Sequence, residues 1–365
     1  MNLLPQASER RPRVACEIGP QGVVAARSAD ATAPLGAVAR VELAEGAVTP
    51  GLRPGNIVDR VAVAAAVRRA LEQVDAKPNS RDADVTLVIP DAAVRVLLLD
   101  FDALPGRLSE ALPIVRFRLK KLLPFEADDA MISYQVMSSG KAGVRVLAVA
   151  MPRDVLSEYE TAAREAGFEP GSVLPSTLAA LAALEGDSAA LLVNANLLGV
   201  TTAIVRNGVL LLHRSLDLQV HDLQTHEPHT ANTAMGHIEL PLVDEQHSAA
   251  EWAAQQPLPE HPLAPSNPSV TLADDMQPVA LAREIAEAVS VAAAYFEDTL
   301  AASPGLVFSA GPLGAERLGR ILVEQGVGPE DGLSVRELVS SSALLADATA
   351  VPRAWLSSVT GALRA

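Results

Sequence analysis

Four cations within six positions, Arg116, Arg118, Lys120 and Lys121, stand in a chain whose 29 Lys+Arg are outnumbered by 44 Asp+Glu, for a formal charge of −15. Helical spacing spreads them over one broad side and leaves Val115, Leu119 and Leu122 to pack inward. Such a cluster is either a solvated helix face or a contact for anionic headgroups or an acidic partner segment, each cation contributing about 1 kcal/mol near an anionic bilayer. Histidine offers a second chemistry. All seven histidines lie between His213 and His261, and His221, His226 and His229 with Asp222 and Glu227 suggest metal ligands. Their spacings of five and three fit neither a helix face nor a strand face, and no rigid element holds them, so no metal site is expected. Asp128-Asp129 and Asp274-Asp275 read as turns or helix starts, where negative charge is favoured, and nothing pairs them as acid and base. Cys16 is the single cysteine, which excludes an internal disulfide and every zinc or iron–sulfur site needing several thiolates. Neither a Walker A loop nor a Gly-x-Ser-x-Gly elbow is present, and the four lysines, Lys77, Lys120, Lys121 and Lys141, leave none in the second half.

Composition narrows the classes further. A chain of 365 residues with 49% hydrophobic content can fill two or three cores. Its negative charge repels phosphate backbones, so general nucleic-acid binding is not expected. No apolar run approaches the roughly 20 residues of a membrane span, and Arg10, Arg11 and Arg13 are not followed by a signal-peptide stretch. The chain is therefore expected to stay in a reducing cytosol.

The elements that must position any site repeat. Arg13–Ile18, Val23–Ala26 and Ala37–Leu43 alternate as a three-strand meander; a helix is expected over Ile57–Leu71 behind Asn56 as N-cap, then a buried strand over Asp84–Ile89. The pattern returns at Ala190–Val193, Gly199–Val205 and Val209–Leu212, the last two joined by Asn207-Gly208, a dipeptide suited to the positive φ of a two-residue hairpin. Helices near 278–300 and 314–325 flank a short strand at Leu306–Ser309. Two copies of one α/β module, with a groove between them, are predicted. The expected organisation is a flexible arm at 1–11, a first half at 12–186 with a small α+β insertion at 91–170, a second half at 187–340, and a C-terminal helix at 341–365 returning to the first half. Residues 221–278, rich in His, Pro, Gln, Asn and Thr, read as an irregular loop.

Several motifs resemble, in order, those of the PilM family, the actin-like cytoplasmic component of type IV pilus assembly. Ile89-Pro90-Asp91-Ala92-Ala93-Val94, Val115-Arg116-Phe117, Leu122-Leu123-Pro124-Phe125-Glu126 and Tyr134-Gln135-Val136 look like its inserted subdomain. Ala166-Gly167-Phe168-Glu169-Pro170, Ile204 to Gly208, Arg214-Ser215, Ser309-Ala310-Gly311 and Ser358 to Arg364 continue the match. The resemblance covers most of 12–220 and 278–365 and implies a duplicated ribonuclease-H-like (actin-like ATPase) fold with ATP and Mg²⁺ in the cleft.

A cleft of that kind needs a carboxylate for hydrated Mg²⁺ and turn amides around the phosphates. The positions that the resemblance assigns to it are degenerate. Glu17-Ile18-Gly19 stands for the family's Asp-Ile-Gly, followed by Pro20, Gln21 and Gly22 in place of hydroxyl residues; a longer acid could still reach a metal through water. Asn194-Ala195-Asn196 then Leu197, Leu198 and Gly199 replace the second phosphate turn, and leucine offers an anion no donor. Ala310-Gly311 keeps part of the adenosine side. Against these readings, Glu17 and Asn194 could be ordinary turn residues. The resemblance thus implies a scaffold without ATP hydrolysis that docks the cytoplasmic tail of a PilN-like single-span protein, with residues 92–125, including Phe125, as the place to look; an active ATPase that switches the angle between its halves is the alternative, and the cytoplasmic domain of a type II secretion protein a third. Asn2-Leu3-Leu4-Pro5 looks like the tail motif of PilN itself, which raises self-docking of the arm, in cis or on a neighbouring protomer, against a chance match in a loose terminus.

Overall fold

The computed structural model describes residues 12–81, 83–141, 143–218, 271–328, 333–345, 348 and 350–364. The arm with Asn2–Pro5, residues 221–270 of the irregular loop and the metal candidates His221, His226 and His229 lie outside the described residues, whereas 271–278, read as part of that loop, are the start of a helix. The chain opens with β1 (Val14–Gly19), β2 (Gly22–Ser28) and β3 (Leu35–Glu42), then α1 (Arg60–Gln73) and β4 (Asp84–Ile89). The insertion supplies β5 (Arg95–Phe101), α2 (Leu108–Leu119), β6 (Ala130–Gly140) and β7 (Gly143–Pro152), followed by α3 (Arg153–Glu165), β8 (Glu169–Pro175) and the short α4 (Ser176–Leu181). A second meander, β9 (Ala190–Ala195), β10 (Gly199–Arg206) and β11 (Val209–Asp217), leads to α5 (Thr271–Leu300), β12 (Leu306–Ala310), α6 (Ala315–Glu324), β13 (Ser334–Glu337) and α7 (Ser357–Arg364).

The repeat is exact in topology: one sheet runs β3-β2-β1-β4-β8 and the other β11-β10-β9-β12-β13. In each, three antiparallel strands continue into two parallel ones. The third sheet, β5-β7-β6, is antiparallel. Asn207 and Gly208 take φ of 52° and 70°, the hairpin geometry expected of them. β8 is an element the sequence hides, because Pro170 and Gly171 interrupt it; an edge strand tolerates both.

Alternation along β1 sends Cys16 and Ile18 into the core under α1 and α3, and Ala15 into the core under α7. Asp59, rather than Asn56, caps α1, its side chain accepting from Ala62 N. Asn56 is instead buried in the preceding loop, where its Oδ1 accepts from Gly51 N at 2.8 Å and from the Tyr159 hydroxyl at 3.2 Å. Burial, and secondarily the neighbouring Glu17, pushes the Cys16 thiol well above its ordinary pKa. Cys16 is therefore expected to resist iodoacetamide at neutral pH in the folded chain and to react in urea; labelling of the native protein at the rate of a free thiol would contradict this packing.

Candidate functional site

Where the two meanders approach, a buried polar network joins six residues from five elements. Glu17, one step along β1 from Cys16, faces α4 and α7. It accepts from Ser176 Oγ at 2.9 Å and from Ser358 Oγ. Asn194, on β9, points its Nδ2 at Ser176 Oγ and Thr177 Oγ1, both at 3.0 Å, and at Asp91 Oδ2 at 3.4 Å. Asp91 follows β4 and accepts from Thr177 N at 3.0 Å and from Thr177 Oγ1. Ser176, Thr177, Asn194 and Ser358 are all buried, so each of these bonds matters to the stability of the centre. Glu17 and Asn194 are strand residues with bonded side chains, half-buried for Glu17 and buried for Asn194, which corrects the reading of them as ordinary turn residues.

Burial raises the pKa of the Glu17 carboxyl; the Ser358 and Ser176 hydroxyls oppose that shift, and the nearby Asp91 charge adds to it. Burial likewise lowers the pKa of His213 on β11, against an opposing pull from Asp91, and its Nε2 has no hydrogen-bond partner among the described residues. No group of three or more His, Cys, Asp or Glu among the described residues is placed to hold a metal ion.

The remaining cleft positions are taken up by the protein's own contacts. Gly19 pairs with Gly22 across the first hairpin, and Gln21 Oε1 is buried there without a partner among the described residues. In the second hairpin Asn196 N donates to Gly199 O at 3.0 Å, while Asn196 Oδ1 accepts from Leu198 N at 2.7 Å. Two amides of that turn are thus engaged internally, and Leu197 and Leu198, 45% and 43% exposed, occupy its tip. Ala310 pairs with Asn194 across β12 and β9. Gly311 has φ of +87°, and a Cβ there would lie 2.3 Å from Asn194 Oδ1 and 2.8 Å from the Ala195 carbonyl oxygen, so close packing on β9 accounts for this glycine. In this arrangement the acid is bonded to hydroxyls and two amides of the second turn have internal acceptors, contacts that a bound nucleotide and hydrated metal would have to replace.

The cationic cluster is divided by the structure. Arg116 Nη1 donates to the Ala127 and Ala130 carbonyls, and Lys120 pairs with Asp128 at 2.6 Å. Arg118 and Lys121 are exposed. Val115 and Leu119 are buried as expected, but Leu122 is 48% exposed because α2 ends at Leu119 and the chain turns away. Phe125 is partly buried against the core of the inserted sheet. Beside α2 lies a recess of about 720 Å³ lined by Leu108, Leu112, Pro113 and Ser109 between Arg107 and Arg116. Of its lining, sequence reasoning singled out only Arg116. Asp91, Ser176, Thr177 and Ser358 were likewise not singled out as site residues, although Pro90-Asp91 and Pro175-Ser176-Thr177 each mark a strand end with capping chemistry.

No protein-family model and no curated protein matches the chain. Among solved structures, the PilM-PilN type IV pilus biogenesis complex aligns over 89% of this chain and 91% of that one, with TM-score 0.60 and 16% identity. The cytoplasmic domain of EpsL, an inner-membrane component of the type II secretion system of Vibrio cholerae, covers 56% of this chain and 70% of its own at TM-score 0.36 and 12% identity. The ethanolamine utilization protein EutJ from Carboxydothermus hydrogenoformans aligns over 100% and 91%, at TM-score 0.40 and 12% identity. The first of these shows the fold: two sheets of one topology with an inserted antiparallel sheet, the duplicated architecture that the sequence resemblance implied.

Proposed function

We propose that this chain is a cytoplasmic scaffold of a type IV pilus inner-membrane assembly complex, docking the cytoplasmic tail of a PilN-like single-span partner without hydrolysing ATP. The observation that carries the reading is the fold shared with the PilM-PilN complex over 89% of the chain, combined with a cleft centre filled by Glu17, Ser176, Asn194 and Ser358. A tail-binding scaffold needs no catalytic group, only a recess and a rim that fixes register. The recess beside α2 supplies apolar walls in Leu108, Leu112 and Pro113, with guanidinium groups of Arg107 and Arg116 at its edges. No helix among the described residues is long and apolar enough to cross a membrane, so the partner would provide the attachment.

Fluorescence anisotropy with a labelled peptide from the partner's cytoplasmic tail tests this. The full chain should bind it, and Leu108→Glu, at a 64% exposed position, should weaken binding about tenfold by placing a charge in the recess. Absence of binding by the unaltered chain would refute the function, whereas binding that Leu108→Glu leaves unchanged would move the site elsewhere.

A further inference from the structure

One side of α2 is built unlike the rest of this acidic surface. Ile114, Phe117 and Arg118, at i, i+3 and i+4 on α2, and Lys121, just past the helix end, form an exposed row that flanks the buried Ala111, Val115 and Leu119. Phe117 is 68% exposed and Ile114 40%, and Leu122 follows them at the helix end. Among the described residues Arg118 and Lys121 make no ion pair. Of the acids nearby in sequence, Glu110 pairs with Arg107 and Asp128 with Lys120, while the exposed Glu126 and Asp129 reach neither Arg118 nor Lys121 as an ion pair among the described residues. The row therefore presents aromatic and aliphatic side chains bordered by two cations without an ion pair, in a chain whose net charge is −15.

We propose that this row is a peripheral contact for an anionic bilayer surface. Its composition selects the occupant. Ile114, Phe117, Arg118 and Lys121 are exposed and lie outside the lining of the recess between Arg107 and Arg116 that could grip a peptide. Exposed apolar side chains with long-stemmed cations beside them suit the boundary between acyl chains and headgroups: Phe117 and Ile114 enter the interface while Arg118 and Lys121 remain at phosphate level. The remaining surface, being acidic, is repelled by the same lipid and so fixes which side faces it. This contact is separate from the recess and stands without the tail-docking reading.

Cosedimentation of the full chain with vesicles decides it. Phosphatidylcholine vesicles containing phosphatidylglycerol should bind the chain, and phosphatidylcholine alone should not. Arg118→Gln with Lys121→Gln should lower partition on the order of thirtyfold, and Phe117→Ser should lower it too, at a position too exposed to affect folding. Arg317→Gln with Arg320→Gln, an equal charge change at exposed positions of α6, should leave it unaltered. Equal binding to both lipids, no binding to either, or an equal loss in the α6 pair would overturn the proposal. A chain that ignores vesicles yet binds an oligoglutamate peptide through Arg118 and Lys121 would place an acidic protein segment there instead, and would overturn it as well.

Discussion

Replacing Gly361 by alanine is expected to destabilise the chain by about 3 kcal/mol, the upper end of what overpacking of a tight core commonly costs. A Cβ at this position would lie 1.8 Å from the carbonyl oxygen of Ala179 and 2.7 Å from its carbon. Both atoms belong to the backbone of α4, so no side chain can rotate away. Within an isolated helix the same substitution would stabilise by roughly 1 kcal/mol, and the clash must overcome that gain. The two terms have opposite signs, which makes the test sharp: a lower urea midpoint at unchanged slope supports backbone contact between α4 and α7, and a higher midpoint removes it. The consequence extends to the cleft, because α7 carries Ser358 and α4 carries Ser176, the two hydroxyls that meet on Glu17.

Glu17 should give the second large effect, and its sign depends on pH. Glu17→Ala leaves both serine hydroxyls without their acceptor in a buried site, an expected loss of about 2 to 3 kcal/mol near pH 5. Glu17→Gln keeps an acceptor oxygen and cannot ionise. Because the folded carboxyl has a raised pKa, the native state holds its proton at pH values where the unfolded chain has released it. Wild-type stability is then fully present below the unfolded value and declines as pH rises through the folded one, by at most about 1.4 kcal/mol per pH unit. Denaturation of wild type and Glu17→Gln side by side should therefore show a difference that moves in favour of glutamine from about pH 4.3 upward. Parallel pH profiles, or a difference moving the other way, would show that hydrogen bonding to the anion outweighs burial.

Much of the architecture is legible in the sequence because its signals are local. The meander at Val14–Glu42 and its echo at Ala190–Asp217 are short apolar runs bounded by turn residues, and Asn207-Gly208 states its own turn geometry. Asn56 misleads as a cap because it lies just ahead of the helical pattern, while its buried Oδ1 serves Gly51 and Tyr159. β8 escapes notice because Pro170 and Gly171 break a pattern that an edge strand need not keep.

The cleft is harder to read. Glu17 meets Ser176 and Ser358 across separations of 159 and 341 residues, and no local signal around either serine points to Glu17. The resemblance located Glu17 and Asn194 but supplied a ligand-binding meaning for residues whose partners here are hydroxyls of two helices. The basic cluster shows a related limit: helical spacing places Arg116, Arg118, Lys120 and Lys121 on one broad side, yet Arg116 is drawn to the Ala127 carbonyl and Lys120 to Asp128, leaving two cations free for other work.

Titration calorimetry of the full chain with ATP and Mg²⁺ tests the proposed scaffold, in which Glu17 serves Ser176 and Ser358. No saturable heat is expected through the millimolar range, for the unaltered chain and for Glu17→Gln alike. Saturable micromolar binding that requires Mg²⁺ and disappears in Glu17→Gln would contradict it, because the carboxylate would then be serving a metal rather than Ser176 and Ser358.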